Sequence, residues 1–263
     1  MKTRIACGVV VSLLLIVGLA VAGEEKEPER LVLLQEFAVH PEGIAQFEAS
    51  LKALHAPAAE HGLDYGWDVY STDEMRYTLT IWVDGLAGIE AISAKWKAFG
   101  ERWGEESIGE WRETFYATFD HEITSLWHAR PDLSYMPENR PTENDFFYWG
   151  VFTVKPGHMK AVEKSFKDFA KLYAKHEVPD AWRTAVGSIG TEGPVIAYLG
   201  WAASAGAFYS RVEAIEANEE LKKASEALWA KMLPHIRGYE NTTGKYRKDL
   251  SWHPAKKEGV TEE

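Results

Sequence analysis

His61 and His176 stand 115 residues apart, each three residues past the last position of an apolar helical stripe, at Ala58 and at Tyr173. That spacing leans both imidazoles toward a buried face. An imidazole so placed serves as a proton-transfer base or as a metal or haem ligand. A histidine at a helix C-terminus is equally explained by bonds to the last carbonyls and by the helix dipole. Glu36 lies among apolar residues of an expected strand, where a desolvated carboxylate has a raised pKa and accepts a proton. At a strand edge in solvent it would be an ordinary surface acid. Trp67, Trp82, Trp182 and Trp201 fall at or within expected strands. Their rings either stack on a flat ligand or fill a core. Arg130 with Asp132, and Arg247 with Asp249, have i, i+2 spacing and share one face of an extended chain. Such a pair clamps an anion or fastens a turn. The candidate site is therefore Glu36, His61 and His176 for proton transfer. Trp67, Trp82, Trp182, Trp201, Arg130 and Arg247 are the candidates for ligand contact.

Other chemistries are excluded. His121, His128, His235 and His253 form no metal-binding spacing, and no zinc-protease, nucleophile-elbow, phosphate-loop or dinucleotide motif is present. No metal site is expected. The single cysteine, Cys7, lies inside an apolar run from Ile5 to Ala22 that follows Lys2 and Arg4 and ends in Ala20-Val21-Ala22. This is the pattern of an export signal cleaved after Ala22, with a retained anchor as the alternative. A periplasmic or secreted protein, with no membrane contact after cleavage, is the expectation. The mature chain would then hold no thiol, hence no disulfide and no cysteine nucleophile. Loss of Lys2 and Arg4 from 29 basic residues leaves 27 against 40 acidic ones. A charge of that sign repels phosphate backbones, so no nucleic-acid partner is expected.

The elements that must position these residues are written twice. Val39-His40-Pro41-Glu42-Gly43 returns as Val154-Lys155-Pro156-Gly157-His158 at an offset of 115. Arg130-Pro131-Asp132-Leu133-Ser134-Tyr135-Met136-Pro137 returns as Arg247-Lys248-Asp249-Leu250-Ser251-Trp252-His253-Pro254 at 117. Each half reads β-α-β-β-α-β. In the first half the expected elements are a strand over 31–39, a helix from Pro41 ended by Gly62, a hairpin of strands 63–70 and 76–83, a helical stretch over 86–119 broken near Gly100 and Gly104, and a strand over 123–128. In the second half they are a strand over 146–154, a helix over 159–175, strands 182–189 and 195–202, a long helix over 207–236 and a strand over 239–246. The stripe Phe47, Leu51, Leu54, Ala58 maps at the same offset onto Val162, Phe166, Phe169, Tyr173. The expected organisation is a signal at 1–22, a first repeat at 30–137, a linker at 138–144, a second repeat at 145–254 and a disordered tail at 255–263.

On the repeated β-α-β-β-α-β order and the tryptophan-rich strands, the chain resembles the dimeric α+β barrel superfamily over about residues 30–254. The resemblance is nearest in style to antibiotic-biosynthesis-monooxygenase-like and NIPSNAP-like domains. It implies an α+β fold in which two ferredoxin-like repeats close face to face into an intrachain barrel. It also implies a small apolar or aromatic ligand, with cofactor-independent monooxygenase- or isomerase-like chemistry. No cofactor is expected on this reading. The superfamily also contains haem-handling proteins, so haem on His61 or His176 is the alternative. A non-catalytic module with a solid barrel is the third reading. A monomer or a homodimer fits any of them.

Overall fold

The computed structural model describes residues 30–255. The signal expected at 1–22 and the tail beyond Ala255 lie outside the described residues. Eight strands form one closed barrel: β1 (Arg30–Val39), β2 (Asp68–Thr72), β3 (Arg76–Asp84), β4 (Phe119–Ala129), β5 (Phe146–Val154), β6 (Trp182–Gly187), β7 (Val195–Ala202) and β8 (Ile236–Tyr246). Their order around the barrel is β1-β3-β2-β8-β5-β7-β6-β4, with β4 returning to β1. Every pairing is antiparallel. Each repeat thus contributes four adjacent strands. The two seams, β2 with β8 and β4 with β6, join one repeat to the other. Closure removes the free edges that an open sheet would expose.

Helices cover the outside. They are α1 (Ile44–Ala53), α2 (His55–Glu60), α3 (Gly85–Trp103) and α4 (Glu105–Tyr116) on the first repeat, and α5 (Met159–Lys175), α6 (Ala205–Ala217) and α7 (Glu219–Met232) on the second. The elements expected at 146–154, 159–175 and 195–202 are found with those bounds. The single helix expected from Pro41 to Gly62 is instead a 3-10 turn and two helices parted at Leu54. Pro57 explains the break, because its ring and missing N–H forbid the bond to residue 53. The expected helix over 207–236 is also two, parted at Asn218, whose side chain accepts from the Leu221 N–H and caps α7. The expected strand over 63–70 begins only at Asp68.

Alternation along each strand divides the core into three layers. Val32 and Leu34 point into the barrel, where they pack with Trp127, Val195 and Ala197. Phe37 and Val39 point outward and pack with Phe47, Leu51, Phe99 and Phe115 under the helices of the first repeat. Phe152, Val154, Ile196 and Val162 do the same in the second. The middle of the barrel is thus filled by side chains, as small barrels are.

The duplicated arginine motif joins the repeats. Arg247 donates to Glu48 on α1 and to Asp249, which also pairs with Lys52 of α1 at 2.8 Å. Arg130 donates to Glu163 on α5 and to Asp132, which pairs with Lys167 of α5 at 2.9 Å. Glu48/Glu163 and Lys52/Lys167 are themselves 115 apart. The remaining motif residues behave alike: Leu133 and Leu250 are wholly buried. The Ser134 and Ser251 hydroxyls accept the Thr184 and Val69 N–H groups. Tyr135 bridges to Trp182, and Trp252 to Trp67. Each motif therefore fastens its own repeat to the opposite one. The geometry gives Arg130 and Arg247 to carboxylates of this clamp.

The clamp sets an acid limit on stability. Arg247 holds the Glu48 and Asp249 carboxyls below their ordinary range, and Arg130 does the same for Asp132. A depressed folded-state pKa gives stability that is present above the unfolded pKa and is lost as pH falls through the folded one. The unfolding free energy is therefore expected to fall steadily below about pH 4.5, as these three carboxylates protonate. Arg247→Met is expected to flatten part of that acid branch in urea unfolding measured from pH 7 to 2. An unchanged acid branch would show that the clamp is not its source.

Candidate active site

A pocket of the second repeat lies outside the barrel. It sits between the outer face of the sheet and α5, α6 and α7, with a volume of about 520 Å³. Tyr148 and Phe152 of β5 and Tyr198 of β7 form its floor. Phe166, Phe169 and Tyr173 of α5 and Trp229 of α7 form walls, and Phe208, Val212 and Ile215 of α6 close it. None of the thirteen residues of α6 is buried, although Phe208, Val212 and Ile215 recur at helical spacing on one side. An apolar stripe that faces a pocket instead of a packed core is what a ligand would cover.

In the first repeat the corresponding space is packed with aromatic side chains. There Phe47, Phe99 and Phe115 are buried on the same side of the sheet, with Trp96, Trp103 and Trp111 packed against them. A run of ring contacts, from Phe37 through Phe47 and Phe115 to Trp111, takes up the space.

Polar groups enter the pocket at two places. At the floor, Tyr148, Tyr198 and Tyr239 bring their hydroxyls together. The Tyr148 and Tyr239 hydroxyls share a short hydrogen bond, and those of Tyr198 and Tyr239 lie 3.2 Å apart. Gly150 makes this possible, since a Cβ there would lie 2.4 Å from Cε1 of Tyr198. Register places Leu33, Leu79 and Glu122 of the first repeat at the positions of Tyr148, Tyr198 and Tyr239. Burial pushes the Tyr148 hydroxyl up to about 12 and Tyr198 higher still, with their mutual hydrogen bonds adding to the rise for Tyr198. Both stay protonated at neutral pH and donate hydrogen bonds.

At the other end stands Asp180, in the loop after α5. It lines the pocket, accepts the Ala181 N–H at 2.8 Å and lies 3.0 Å from the Arg211 guanidinium of α6. Burial raises its pKa from the usual aspartate value, and Arg211 partly opposes the rise. The Oγ of Ser225, which also lines the pocket, is buried with no partner, and so is Nε of Arg211. A buried donor left unpaired is costly.

Comparison with solved structures fixes the fold. An anthrone oxidase-like protein superposes with a TM-score of 0.53 at 17% identity, covering 84% of this chain and 92% of its own. A protein assigned as a monooxygenase, from Lactobacillus acidophilus, gives 0.53 at 9%, covering 85% and 95%. A doubly substituted chlorite dismutase from Candidatus Nitrospira defluvii gives 0.51 at 9%, covering 86% and 94%. The chain shares their α+β barrel fold, here closed within one polypeptide. No protein-family model and no curated protein matches its sequence.

The barrel scatters the residues chosen from sequence. Alternation turns Glu36 to the inner face with Val32 and Leu34, opposite Thr78 and Ile123, away from the pocket. Burial does raise its pKa, opposed by Arg76. His61 caps α2 through its N–H on the Pro57 carbonyl, and its own carbonyl accepts from Nε of Arg102 at 2.6 Å. His176 caps α5 and turns its Nε2 toward Glu220, 3.7 Å away. Neither imidazole lines the pocket. Trp67 is buried in the first repeat's core, with Nε1 donating to the Leu250 carbonyl. Its mate Trp182 makes the equivalent bond to Leu133 and also lines the pocket. Trp82 and Trp201 point into the barrel at its mouth, where Trp82 is 41% exposed.

Sequence reasoning missed Asp180 and the three tyrosines. The offset of 115 places Tyr65 opposite Asp180. That break in the repeat, a carboxylate beside the pocket-lining Trp182, was the available signal.

Proposed function

We propose that this barrel binds a small, flat, largely aromatic molecule in the pocket of its second repeat and moves a proton on it without a cofactor. The observation that carries the reading is the unburied apolar face of α6, set over an aromatic pocket with a carboxylate at one end and tyrosine hydroxyls at the floor. An aromatic ketone fits this distribution. Its rings meet Phe169, Trp182 and Trp229, and its oxygen accepts from Tyr148 or Tyr198. The Asp180 carboxylate takes a proton from a carbon conjugated with the carbonyl, which in anthrone is the methylene across the central ring. The tyrosine donors hold the negative charge that develops on oxygen, where preorganised hydrogen bonds have their largest effect. The resulting enolate either regains a proton at another atom, as in an isomerase, or is the electron-rich form that reacts with dioxygen in cofactor-free oxygenation. The anthrone oxidase-like neighbour supports a three-ring ketone as the first probe.

The pocket gives no support to haem held by His61 or His176. The pocket wall supplies no imidazole, and His61 and His176 both serve as helix caps outside it. The proposal includes export, with the signal removed after Ala22; the intact mass of protein recovered from the periplasm or medium tests that step.

Trp182 and Trp229 give the binding test. Titration with anthrone is expected to quench tryptophan fluorescence saturably. Phe169→Trp, which narrows the pocket, is expected to abolish saturation. Tyr198→Phe is expected to weaken binding about tenfold, the loss of one buried hydrogen bond. Quenching that is linear in ligand, or equal in the Phe169→Trp protein, removes the proposal.

A further inference from the structure

The mouth of the barrel holds a second arrangement that neither the clamp nor the pocket uses. Arg183 of β6 projects from the inner face between two indoles, 6.0 Å from the Trp82 ring and 5.7 Å from the Trp201 ring. Trp82 comes from the first repeat and Trp201 from the second, so Arg183 sits between rings from opposite sides of the barrel. The linker runs beside it, and its Pro141 carbonyl accepts the indole N–H of Trp201 at 2.9 Å and fixes that ring. A pocket of about 300 Å³ opens here, lined by Arg183, Arg140, Tyr70, Phe147 and Trp201.

The mouth gathers arginines in an otherwise acidic chain. The protein carries a formal charge of −11, and several of its arginines, Arg130, Arg211 and Arg247 among them, meet carboxylates. Among the described residues, neither Arg183 nor Arg140 has an acid within ion-pair distance. The Arg140 guanidinium donates only to the carbonyl of Pro137. Asp68, on β2 beside Tyr70, is taken by the Tyr246 hydroxyl at 2.7 Å and by His253 at 3.1 Å. A guanidinium near two aromatic rings and without an acid partner can receive a planar carboxylate through two parallel bonds. The Tyr70 hydroxyl adds a neutral donor, and the Phe147 and Trp201 rings supply walls for a flat body.

We propose that the barrel mouth is a second binding site, for a one- or two-ring aromatic carboxylate held by Arg183 and Arg140. It is separate from the pocket of the second repeat and stands or falls independently of the reading given to that pocket.

Calorimetric titration of the full chain with 2-naphthoate and with its neutral amide tests it. Naphthoate is expected to bind with one-to-one stoichiometry, and the amide at least about tenfold more weakly, since charge-assisted bonds are the strong ones. Arg183→Gln is expected to weaken naphthoate by a similar factor. Arg140→Gln, on an exposed segment where folding is not at stake, is expected to weaken it several-fold. Phe169→Trp is expected to leave it unchanged. Equal binding of acid and amide, affinity that survives either arginine substitution, or affinity lost only in Phe169→Trp overturns the proposal. The last outcome would place naphthoate in the other pocket.

Discussion

Asp180→Asn is expected to slow the exchange of the acidic protons of bound anthrone with solvent by about 10²–10⁴-fold, the contribution of a positioned general base. Deuterium uptake into the ligand, followed by NMR in the presence of the protein, measures it. The amide keeps the shape of the carboxylate and removes its basicity, so binding should persist while exchange stops. In the unsubstituted protein the exchange rate should rise with pH through an inflection above the ordinary aspartate value, because burial raises the Asp180 pKa. One complication is built into the geometry. Asp180 faces Arg211, whose Nε is already buried without a partner, and removing the carboxylate leaves that cation uncompensated. The double variant Asp180→Asn, Arg211→Met removes both charges. If it folds, binds anthrone and still fails to exchange, the base is Asp180. Exchange that survives in the folded double variant assigns the proton transfer elsewhere.

Phe152→Ala and Phe37→Ala form the second experiment, because the repeat makes them natural counterparts. Both side chains are buried, at 1% and 3% exposure, on the outer face of the first strand of each repeat. Phe37 packs on Phe47, Phe115 and Phe119. Phe152 packs on Phe166, Tyr198, Trp229 and Tyr239. Each truncation is expected to lower the unfolding free energy by about 3–5 kcal/mol, the usual cost of emptying a large aromatic site. The functional outcomes should diverge. Phe37→Ala leaves the second repeat intact, and anthrone affinity should be unchanged. Phe152→Ala removes the floor beneath the ligand and the ring that holds Tyr198, and affinity should fall at least about tenfold. Equal losses of affinity in the two variants would mean that binding follows global stability, and the pocket would lose its claim.

The arrangement explains how one duplicated unit serves two ends. In the first repeat phenylalanine and tryptophan fill the space between sheet and helices. In the second, no residue of α6 is buried, and Ser225 and Asp180 line the space beneath it. A solid half gives the barrel a core large enough to tolerate a hollow one.

Much of this was legible in the residues alone. Strict alternation and helical stripes report which face of an element is buried, so the β-α-β-β-α-β order, the duplication and most element bounds followed from local pattern. Breaks were less legible, because Pro57 and Asn218 interrupt helices whose apolar stripes continue past them. Periodicity does not report which element covers a buried face. That is why tryptophans of equal promise separated, Trp182 to the pocket and Trp82 and Trp201 to the mouth. It is also why the R-x-D-L-S motif, plain in sequence as a repeat, could not be read as a clamp until Arg130 met Glu163 and Arg247 met Glu48 across the two halves. The sequence by itself determined two ferredoxin-like units with aromatic interiors, since those depend on neighbours a few residues apart. The tertiary structure alone decided that the hollow lies outside the barrel and that Asp180, Tyr148 and Tyr198 share it, because those groups come together only when distant strands and helices pack.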